Sequence, residues 1–302
     1  MDVVGVGALN LDRLYRVPRF AGPGDEIRVL SHTTAPGGSA ANTIAAMARL
    51  GVKTGFIGVV GRDVAGDYIL DDLRKEDVDT QGITSTVKST GEVIALVDKK
   101  GERMLYAFPG VNDSLRINET AIRYAGKAKF LHLSSFVGEA SYSAQKEMLT
   151  CLKGTRVSFS PGMLYARKGL KSLGAIVRLS EVAFMNREEL RIMTGAKLEK
   201  GASKLLDLGA RIIAVTLGKK GCYIRSCDEE KTVKGYPANA VDTTGAGDAF
   251  TGGFLYGLLK GLSLTQCGKL GNKLASLCIA EMGARAGLPT IMELEGFISS
   301  LR

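Results

Sequence analysis

The pattern that most clearly indicates a reactive site is a glycine-rich run late in the chain, Asp242-Thr-Thr-Gly-Ala-Gly-Asp248. A Gly-Ala-Gly turn that feeds a helix presents free backbone N–H groups at the positive end of that helix, and such groups bind anions. Asp248 lies inside this anion site, where a carboxylate is useful if it takes part in a reaction. Beside a phosphoryl group, Asp248 is placed to accept the proton of an attacking hydroxyl. The simpler alternative for a bare Gly-Ala-Gly-Asp is an aspartate that caps a helix.

Two other phosphate-binding patterns do not explain the sequence. Gly5-Val-Gly-Ala-Leu-Asn10 follows a predicted strand and looks like the start of a dinucleotide fingerprint. Its third position is Asn10, where glycine or alanine is needed for helix–strand packing, so a dehydrogenase is disfavoured. The chain has no Gly-x-x-x-x-Gly-Lys-Ser/Thr, which excludes a P-loop enzyme. A kinase with this sequence must bind phosphate in another way.

Four motifs, taken in order, resemble those of one enzyme family. The glycine-rich run resembles the C-terminal signature of the ribokinase-type (PfkB) family of carbohydrate and nucleoside kinases. Gly37-Gly-Ser-Ala-Ala-Asn42 is similar to the family's Gly-Gly-x-x-x-Asn, Asn186-Arg-Glu-Glu189 to its Asn-x-x-Glu, and Thr216-Leu-Gly-Lys-Lys-Gly221 to its Thr-x-Gly-x-x-Gly. The resemblance covers essentially the whole chain. It implies an α/β, ribokinase-like three-layer fold, a single domain over residues 1–302 with a mostly parallel central sheet and a small antiparallel β lid.

The resemblance also implies which residues act on the substrate. Asp248 would be the general base, in agreement with its position in the anion site. The charge on the transferred group would be stabilised by three backbone N–H groups, those of Gly245, Ala246 and Gly247. The hydroxyls of the substrate would be held by Asp12, Gly38 and Asn42. A carboxylate and an amide suit this task because a sugar hydroxyl both donates and accepts hydrogen bonds.

A nucleotide site and two cation sites follow from the same resemblance. The nucleotide donor, ATP or ADP, would contact five residues, namely Asn186, Thr216, Gly218, Gly221 and Asn272. Glu189 would act on Mg²⁺ through water, since Mg²⁺ keeps much of its hydration in proteins. Asp242 and Thr244 would border a monovalent-cation site, which predicts that K⁺ raises the activity.

The chain departs from the family pattern after its predicted strand Arg156–Ser160. Family members often carry an acidic residue there, but this sequence has Ser160. A metal or substrate role for this segment is therefore not predicted. Glu139 falls near a substrate-facing loop of the family, and no role is assigned to it.

The elements that must position these residues alternate along the chain. Apolar runs of strand length occur at six places, which are 2–8, 54–60, 129–133, 156–160, 181–185 and 211–216. Helical patterns lie between them at 40–50, 67–75, 187–194 and 201–208, and glycine closes three of the four. Strands that alternate with helices of this length predict βαβ units, a mostly parallel sheet, and helices on both of its faces.

Two stretches interrupt this alternation, residues 13–36 and 87–108, which look like strands joined by turns with no helix between them. In the first, Glu26–Leu30 has the pattern of a strand, and in the second, Gly91–Val97. We interpret both stretches as an antiparallel lid beside the main domain. A small sheet exposed on both sides is marginal in water, so we expect a cover. The cover would be the substrate, a second copy of the lid in a homodimer, or both.

The composition is that of an ordinary soluble globular protein, with 45% hydrophobic and 24% charged residues. No basic segment opens the chain and no apolar run approaches about 18 residues, so we expect a cytoplasmic protein without a membrane segment.

Five cysteines without a Cys-x-x-Cys pair and two histidines predict neither a disulfide framework nor a histidine-based metal site. The net charge of +9 comes from scattered residues, which favours an anionic small molecule, or simple surface solvation, over nucleic acid.

The identity of the acceptor stays open from the sequence. A free sugar, a nucleoside and a phosphorylated sugar all satisfy the pattern, and so does a sensor that binds sugar or nucleotide without catalysis. Asp248 argues against the sensor, because a pure binder gains nothing from a carboxylate that faces phosphate. The sequence therefore predicts a phosphotransferase that acts on a hydroxyl of a sugar or sugar-containing molecule.

Overall fold

A computed structural model describes residues 1–100 and 102–301 of the chain. Within those residues the strands are β1 Val3–Val6, β2 Asn10–Arg16, β3 Ser31–Gly37, β4 Thr54–Gly61, β5 Asp79–Thr86, β6 Gly91–Val97, β7 Arg103–Phe108, β8 Phe130–Ser134, β9 Arg156–Ser160, β10 Ser180–Asn186, β11 Ile212–Thr216, β12 Cys222–Ser226 and β13 Glu230–Val233. The helices are α1 Ser39–Arg49, α2 Val64–Lys75, α3 Glu119–Ala125, α4 Glu139–Cys151, α5 Gly162–Ala166, α6 Gly169–Leu179, α7 Arg187–Thr194, α8 Leu198–Asp207, α9 Ala246–Leu259, α10 Leu264–Cys278 and α11 Ile291–Leu301.

The central sheet has nine strands within the described residues, in the order β13-β12-β11-β10-β9-β8-β1-β4-β5. All neighbours from β11 to β5 pair in parallel, and only β12 and β13 are added antiparallel at one edge. The inner strands β1, β4, β8 and β11 have almost continuous buried runs, as expected for strands covered on both faces, whereas the edge strand β5 is mostly polar. This confirms the predicted mostly parallel α/β sheet.

Two hydrophobic layers sandwich this sheet. Because successive side chains of a strand point to opposite faces, Val3 packs into one layer and Val4 into the other. The first layer contains α1, α9 and α10, where Phe184 and Phe254 meet edge to face with centroids 5.3 Å apart. The second contains α4 to α8, centred on the fully buried Tyr165. The three-layer architecture predicted from the sequence is thereby confirmed.

The lid is a separate four-stranded sheet in the order β3-β2-β6-β7. Its outer pairs, β2 with β3 and β6 with β7, are antiparallel, whereas its central pair, β2 with β6, is parallel. The parallel pair arises because the chain crosses the main domain through α1, β4, α2 and β5 before it returns to the lid. Such a crossover brings a strand back in its original direction. The predicted lid is present, and it is antiparallel except at its centre.

The first lid stretch pairs differently from the prediction. Glu26–Leu30 is not a strand, and β3 begins at Ser31, which lies opposite Arg16 of β2. Most of β3 is exposed and polar, so its sequence lacks the apolar alternation that marks a strand. The second predicted stretch, 87–108, includes Gly101, which lies outside the described residues.

Helix and strand positions otherwise agree with the pattern to within a few residues. Arg156–Ser160 and Arg187–Thr194 match their predicted bounds, and Gly195 ends the helix with φ of 65°. Helices α2 and α8 both begin three residues before their predicted starts. Helix α2 begins at Val64 because the side chain of Asp63 accepts a hydrogen bond from the N–H of Gly66 at 2.8 Å. Among the described residues, no helix is long and apolar enough for a membrane crossing.

Candidate active site

The glycine-rich run forms the N-terminal end of α9. Gly245 has a left-handed backbone with φ of 78°, and a Cβ there would lie 2.6 Å from the Cβ of Ala284, so the turn requires glycine. A Cβ on Gly247 would meet no atom within 4 Å, which leaves open space for an anion beside the helix end. Ala246 donates its N–H to the carbonyl of Thr243 at 3.3 Å. Of the three predicted anion-hole donors, the N–H of Ala246 therefore already has a hydrogen-bond acceptor within the loop.

Asp248 lies in the first turn of α9 and is held by two side chains of α1. Its Oδ1 accepts a hydrogen bond from Ser39 Oγ at 2.7 Å, and its Oδ2 accepts one from Asn42 Nδ2 at 2.9 Å. Burial raises the pKa of Asp248 to about 6, although both hydrogen bonds and the charge of Arg285 act in the opposite direction. A carboxylate with this pKa is deprotonated near neutral pH and more basic than an exposed aspartate, which suits a general base.

Asn42 orients Asp248 and uses both ends of its amide within the protein. Its side chain is buried, its Nδ2 donates to Asp248, and its Oδ1 accepts from Arg285 Nε at 2.9 Å. The second Nδ2 proton and the second lone pair of Oδ1 remain for a ligand. The contact between Asn42 and a substrate hydroxyl stays a prediction, whereas the link from Arg285 through Asn42 to Asp248 follows directly from these two hydrogen bonds.

Arg285 is a site residue that the sequence analysis missed. Its side chain is 7% exposed, it forms an ion pair with Asp72 of α2 through Nη1, and its Nη2 has no hydrogen-bond partner among the described residues. Burial lowers the pKa of Arg285, against the effect of the surrounding carboxylates. The one sequence signal was a lone arginine among small and apolar residues in Gly283-Ala-Arg-Ala-Gly-Leu-Pro289. An isolated charge in such a run indicates a buried partner.

Asp12 lies on β2 near Asp248, and Gly37 makes room for its carboxylate, whereas Gly38 makes room for the backbone after β1. A Cβ on Gly37 would lie 2.2 Å from both carboxylate oxygens of Asp12, and a Cβ on Gly38 would lie 2.1 Å from the carbonyl oxygen of Ala8. Burial raises the pKa of Asp12 to about 7, with the charge of Asp248 adding to the effect and that of Arg285 opposing it. The Oδ1 atom of Asp12 is buried and has no hydrogen-bond partner in the described part of the chain. An unpaired buried oxygen of this kind is available for a ligand hydroxyl.

A cavity of about 550 Å³ lies between the lid and the main domain. The predicted substrate residues Asp12, Gly38 and Asn42 all line it, together with Asp248. The lid contributes an apolar wall formed by Leu14, Val93, Ala95, Val97, Leu105 and Ala107. A cavity of this size with a few convergent polar groups is typical of a small-molecule site.

The lid contacts the glycine-rich loop through one arginine. Arg103 of β7 donates a hydrogen bond from Nη1 to Thr244 Oγ1 at 2.8 Å. Thr244 Oγ1 in turn donates to Asp242 Oδ1 at 2.7 Å. The lid is therefore closed onto the loop that carries the predicted anion hole.

Asp242 joins two loops in this structure. Its Oδ1 accepts the N–H of Thr244 at 2.9 Å, and its Oδ2 accepts the N–H of Gly283 at 2.9 Å. Burial tends to raise the pKa of Asp242, but these hydrogen bonds outweigh it and lower the pKa. The predicted K⁺ site at Asp242 and Thr244 stays a prediction, since both side chains already have protein partners. Within the described residues, His, Cys, Asp and Glu side chains form no group of three that could hold a metal ion.

A second crevice, of about 330 Å³, adjoins the cavity and contains the predicted metal residue Glu189. Glu189 and Asn186 form a capping box at the start of α7, in which Glu189 Oε2 accepts the N–H of Asn186 at 2.9 Å. Burial raises the pKa of Glu189. The capping box uses one carboxylate oxygen, so the other can accept a hydrogen bond from metal-bound water. A single carboxylate fits Mg²⁺, which usually takes one or two from the protein and completes its shell with water and phosphate.

The predicted nucleotide loop follows β11 directly. Thr216 lines the crevice, and Thr216 and Gly218 border a shallow pocket of about 310 Å³ together with Asn186. Gly221 has φ of 93°, and a Cβ there would lie 2.0 Å from the carbonyl oxygen of Val233. Gly221 therefore permits close approach of the backbone after β13, in addition to its predicted role toward the nucleotide.

Asn272 supports the same segment from α10. Its Nδ2 donates to the carbonyl oxygens of Val233 and Lys234, both at 3.1 Å. It is buried and holds the backbone after β13, and its contact with an adenine ring stays a prediction. Of the two residues left without a role, Ser160 lines the crevice beside Asp248, whereas Glu139 is exposed and forms an ion pair with Lys168.

Comparison with known proteins places the sequence among carbohydrate kinases. Residues 1–291 match the pfkB family of carbohydrate kinases. The chain is 40% identical over 246 residues to an uncharacterized sugar kinase of Archaeoglobus fulgidus, covering 80% of this chain and 98% of that protein. It is 31% identical over 298 residues to the ATP-dependent ribose-1-phosphate kinase of Halopiger xanaduensis, covering 98% of both. The structure matches that of Thermotoga maritima ribokinase with a TM-score of 0.85, 25% identity and 99% of each chain covered.

Proposed function

The chain belongs to the pfkB family of carbohydrate kinases, and from this premise we propose that it transfers the terminal phosphoryl group of ATP to a hydroxyl of a sugar or sugar-containing molecule. One observation carries the proposal: Asp248 lines both the 550 Å³ cavity and the 330 Å³ crevice. A base at the junction of two pockets can act on an acceptor in one and a phosphoryl donor in the other. The similarity to an ATP-dependent kinase supports ATP as the donor.

The proposed reaction uses groups of this chain in three steps. Asp12 binds acceptor hydroxyls, with its unpaired Oδ1 as a ready partner. Asp248 takes the proton of the reacting hydroxyl while that oxygen attacks the terminal phosphorus, and the nucleoside diphosphate leaves. The N–H groups at the start of α9 stabilise the negative charge on the transferred group. Mg²⁺ held through water by Glu189 would neutralise charge on the nucleotide phosphates.

Closure of the lid supports a kinase over a sensor. The Arg103–Thr244 hydrogen bond holds the lid on the loop beside Asp248. A closed lid excludes water, which would otherwise accept the phosphoryl group in place of the sugar. A binding protein has no comparable need to exclude water from Asp248.

The first test is a coupled assay of ADP formation with ATP, Mg²⁺ and a panel of free sugars, nucleosides and phosphorylated sugars. We expect ADP formation that depends on at least one acceptor. The same acceptor should give much less ADP with Asp248→Asn. If no acceptor raises ADP formation above the rate with ATP alone, the proposed function is wrong.

A second test concerns Mg²⁺. Glu189→Gln should raise the Mg²⁺ concentration for half-maximal rate by about tenfold, because an amide attracts metal-bound water less strongly than a carboxylate. Glutamine preserves the capping box, so the start of α7 should remain folded. The control is Glu188→Gln, which removes a neighbouring exposed acid that pairs with Arg191. Identical Mg²⁺ titrations for wild type and both variants would exclude the role of Glu189.

We further propose a homodimer through the outer face of the lid. Ile94 and Tyr106 lie directly opposite each other on β6 and β7 and are 40% and 56% exposed. Val93 lies on the other face and lines the cavity. Light scattering at micromolar concentration should give twice the chain mass for wild type and for Val64→Asp, and the single chain mass for Ile94→Asp. A monomeric wild type would show that the lid covers only its own cavity.

A further inference from the structure

We infer that the acceptor carries an anionic group besides the hydroxyl that is phosphorylated, and that Arg103 and Arg167 bind this group. Both side chains line the 550 Å³ cavity. The inference rests on the proposed kinase function, and it names the chemical class of the acceptor as an acidic sugar, with a phosphate or carboxylate substituent.

Of the two arginines, Arg167 gives the stronger evidence for an anion-binding subsite. It lies between α5 and α6, and its N–H is anchored to the carbonyl of Met163 at 3.2 Å. Its guanidinium has no hydrogen-bond or ion-pair partner among the described residues. The next residue, Lys168, has its own acid in Glu139. A cation that faces a substrate cavity without an acid is therefore available to a ligand.

Arg103 approaches the cavity from the lid. It uses Nη1 to hold Thr244, and the planar guanidinium carries five N–H donors in all. Its charge acts on Asp242, whose oxygens already accept hydrogen bonds from Thr244 and Gly283. No acid pairs with Arg103 within the described part of the chain. Its remaining donors are free for an anion in the cavity.

The charged groups of the cavity are two carboxylates and two arginines, which come from different elements. The carboxylates Asp12 and Asp248 come from β2 and α9, and they suit hydroxyl groups. The arginines come from β7 and from the C-terminal end of α5, and guanidinium groups bind phosphate or carboxylate groups in a bidentate manner. A neutral sugar would satisfy the first set and leave Arg167 without a partner. An acidic sugar satisfies both.

The experiment compares neutral and acidic acceptors in pairs. Ribose is compared with ribose 1-phosphate and ribose 5-phosphate, fructose with fructose 1-phosphate and fructose 6-phosphate, and glucose with gluconate, so that phosphate and carboxylate are distinguished. We expect kcat/KM for the best acidic acceptor to exceed that for its neutral partner by about 100-fold, the range of two charge-assisted hydrogen bonds. Equal or higher kcat/KM for the neutral partners would overturn the inference and leave the kinase proposal intact.

Two variants assign the effect to the arginines. Arg167→Gln and Arg103→Gln should each lower kcat/KM for the acidic acceptor by about 10- to 100-fold. With the neutral partner, Arg167→Gln should change kcat/KM by less than about threefold, because no charged contact is lost. The control variant Arg123→Gln, on the exposed face of α3, should have the wild-type kcat/KM with both the acidic and the neutral acceptor. Equal losses with neutral and acidic acceptors on Arg167→Gln would overturn the assignment.

A binding measurement separates this inference from the proposed reaction. Calorimetry should detect binding of the acidic sugars to the Asp248→Asn protein. It should detect no binding to the double variant that carries both Asp248→Asn and Arg167→Gln. If no acceptor is turned over by wild type, the kinase proposal fails, while this binding result still supports the anionic subsite. Absence of binding by every acidic sugar would overturn the subsite.

Discussion

Asp248→Asn is expected to lower kcat by about 10²- to 10⁴-fold, the usual contribution of a general base. Asparagine has nearly the same shape and keeps one oxygen to accept a hydrogen bond from Ser39 or Asn42. What it loses is the ability to take a proton, which matters mainly in the transition state. ATP affinity, measured by calorimetry, should therefore stay within about tenfold of wild type. Near-normal turnover in this variant would exclude Asp248 as the base.

The pH profile provides an independent readout of the same group. Because burial raises the pKa of Asp248 to about 6, wild-type kcat, measured with saturating acceptor, should rise with pH through that value. The kcat/KM profile also contains the titration of Asp12, whose pKa burial raises to about 7. The sign follows from the role, since only the deprotonated carboxylate accepts a proton. The rise should disappear in Asp248→Asn but persist in Glu189→Gln, whose wild-type pKa is also raised by burial. A rise that is lost only in Glu189→Gln would assign the titration to Glu189.

Arg285→Met is expected to reduce both stability and activity. The substitution leaves Asp72 without its ion-pair partner, and breaking a buried pair costs about 3–5 kcal/mol. We expect the lower end, about 3 kcal/mol, because Asp72 is 25% exposed. Chemical unfolding should show this loss in the free energy of unfolding. The matched control is Arg74→Met, which breaks an exposed pair with Asp71 on the same helix and should cost less than about 1 kcal/mol.

The catalytic effect of Arg285→Met separates a positioning role from a structural one. Arg285 holds Asn42, which holds Asp248, and its positive charge lowers the pKa of that carboxylate. Removal of the charge should shift the acidic limb of the pH profile to higher pH. Arg285→Lys keeps the charge and should shift the limb less, even where kcat falls because the bond to Asn42 is lost. If the folded Arg285→Met protein has the wild-type pH profile, Arg285 acts only on stability.

The features that could be predicted from the sequence alone are those that depend on residues close together in the chain. Asp242–Asp248 is one contiguous run, so the turn, the helix start and the position of Asp248 in the first turn follow from local backbone geometry. Strands such as β9 and helices such as α7 were predicted correctly because buried strands and amphipathic helices repeat their apolar residues with different periods. The alternation of these elements then indicated a parallel sheet covered on both faces.

The lid shows where local pattern was insufficient. β3 is polar and exposed along most of its length, and it becomes a strand only because β2 offers it a ladder of hydrogen bonds. The parallel pairing of β2 with β6 depends on the path of the chain through the main domain. Neither feature leaves an apolar period in the sequence, because the stabilising partner is a distant strand.

Only the tertiary structure decided how the Asp248 side chain is supported. Arg285 is 213 residues from Asp72 and 243 residues from Asn42 in the sequence, yet it contacts both. The motif around Asn42 indicated a polar site residue, but a motif does not specify which groups its amide will meet. Contacts between distant segments arise when burial forces each charge and amide to find a partner inside the protein. The sequence therefore predicted Asp248 as the candidate base, whereas the network that sets the orientation and pKa of this carboxylate came only from the tertiary structure.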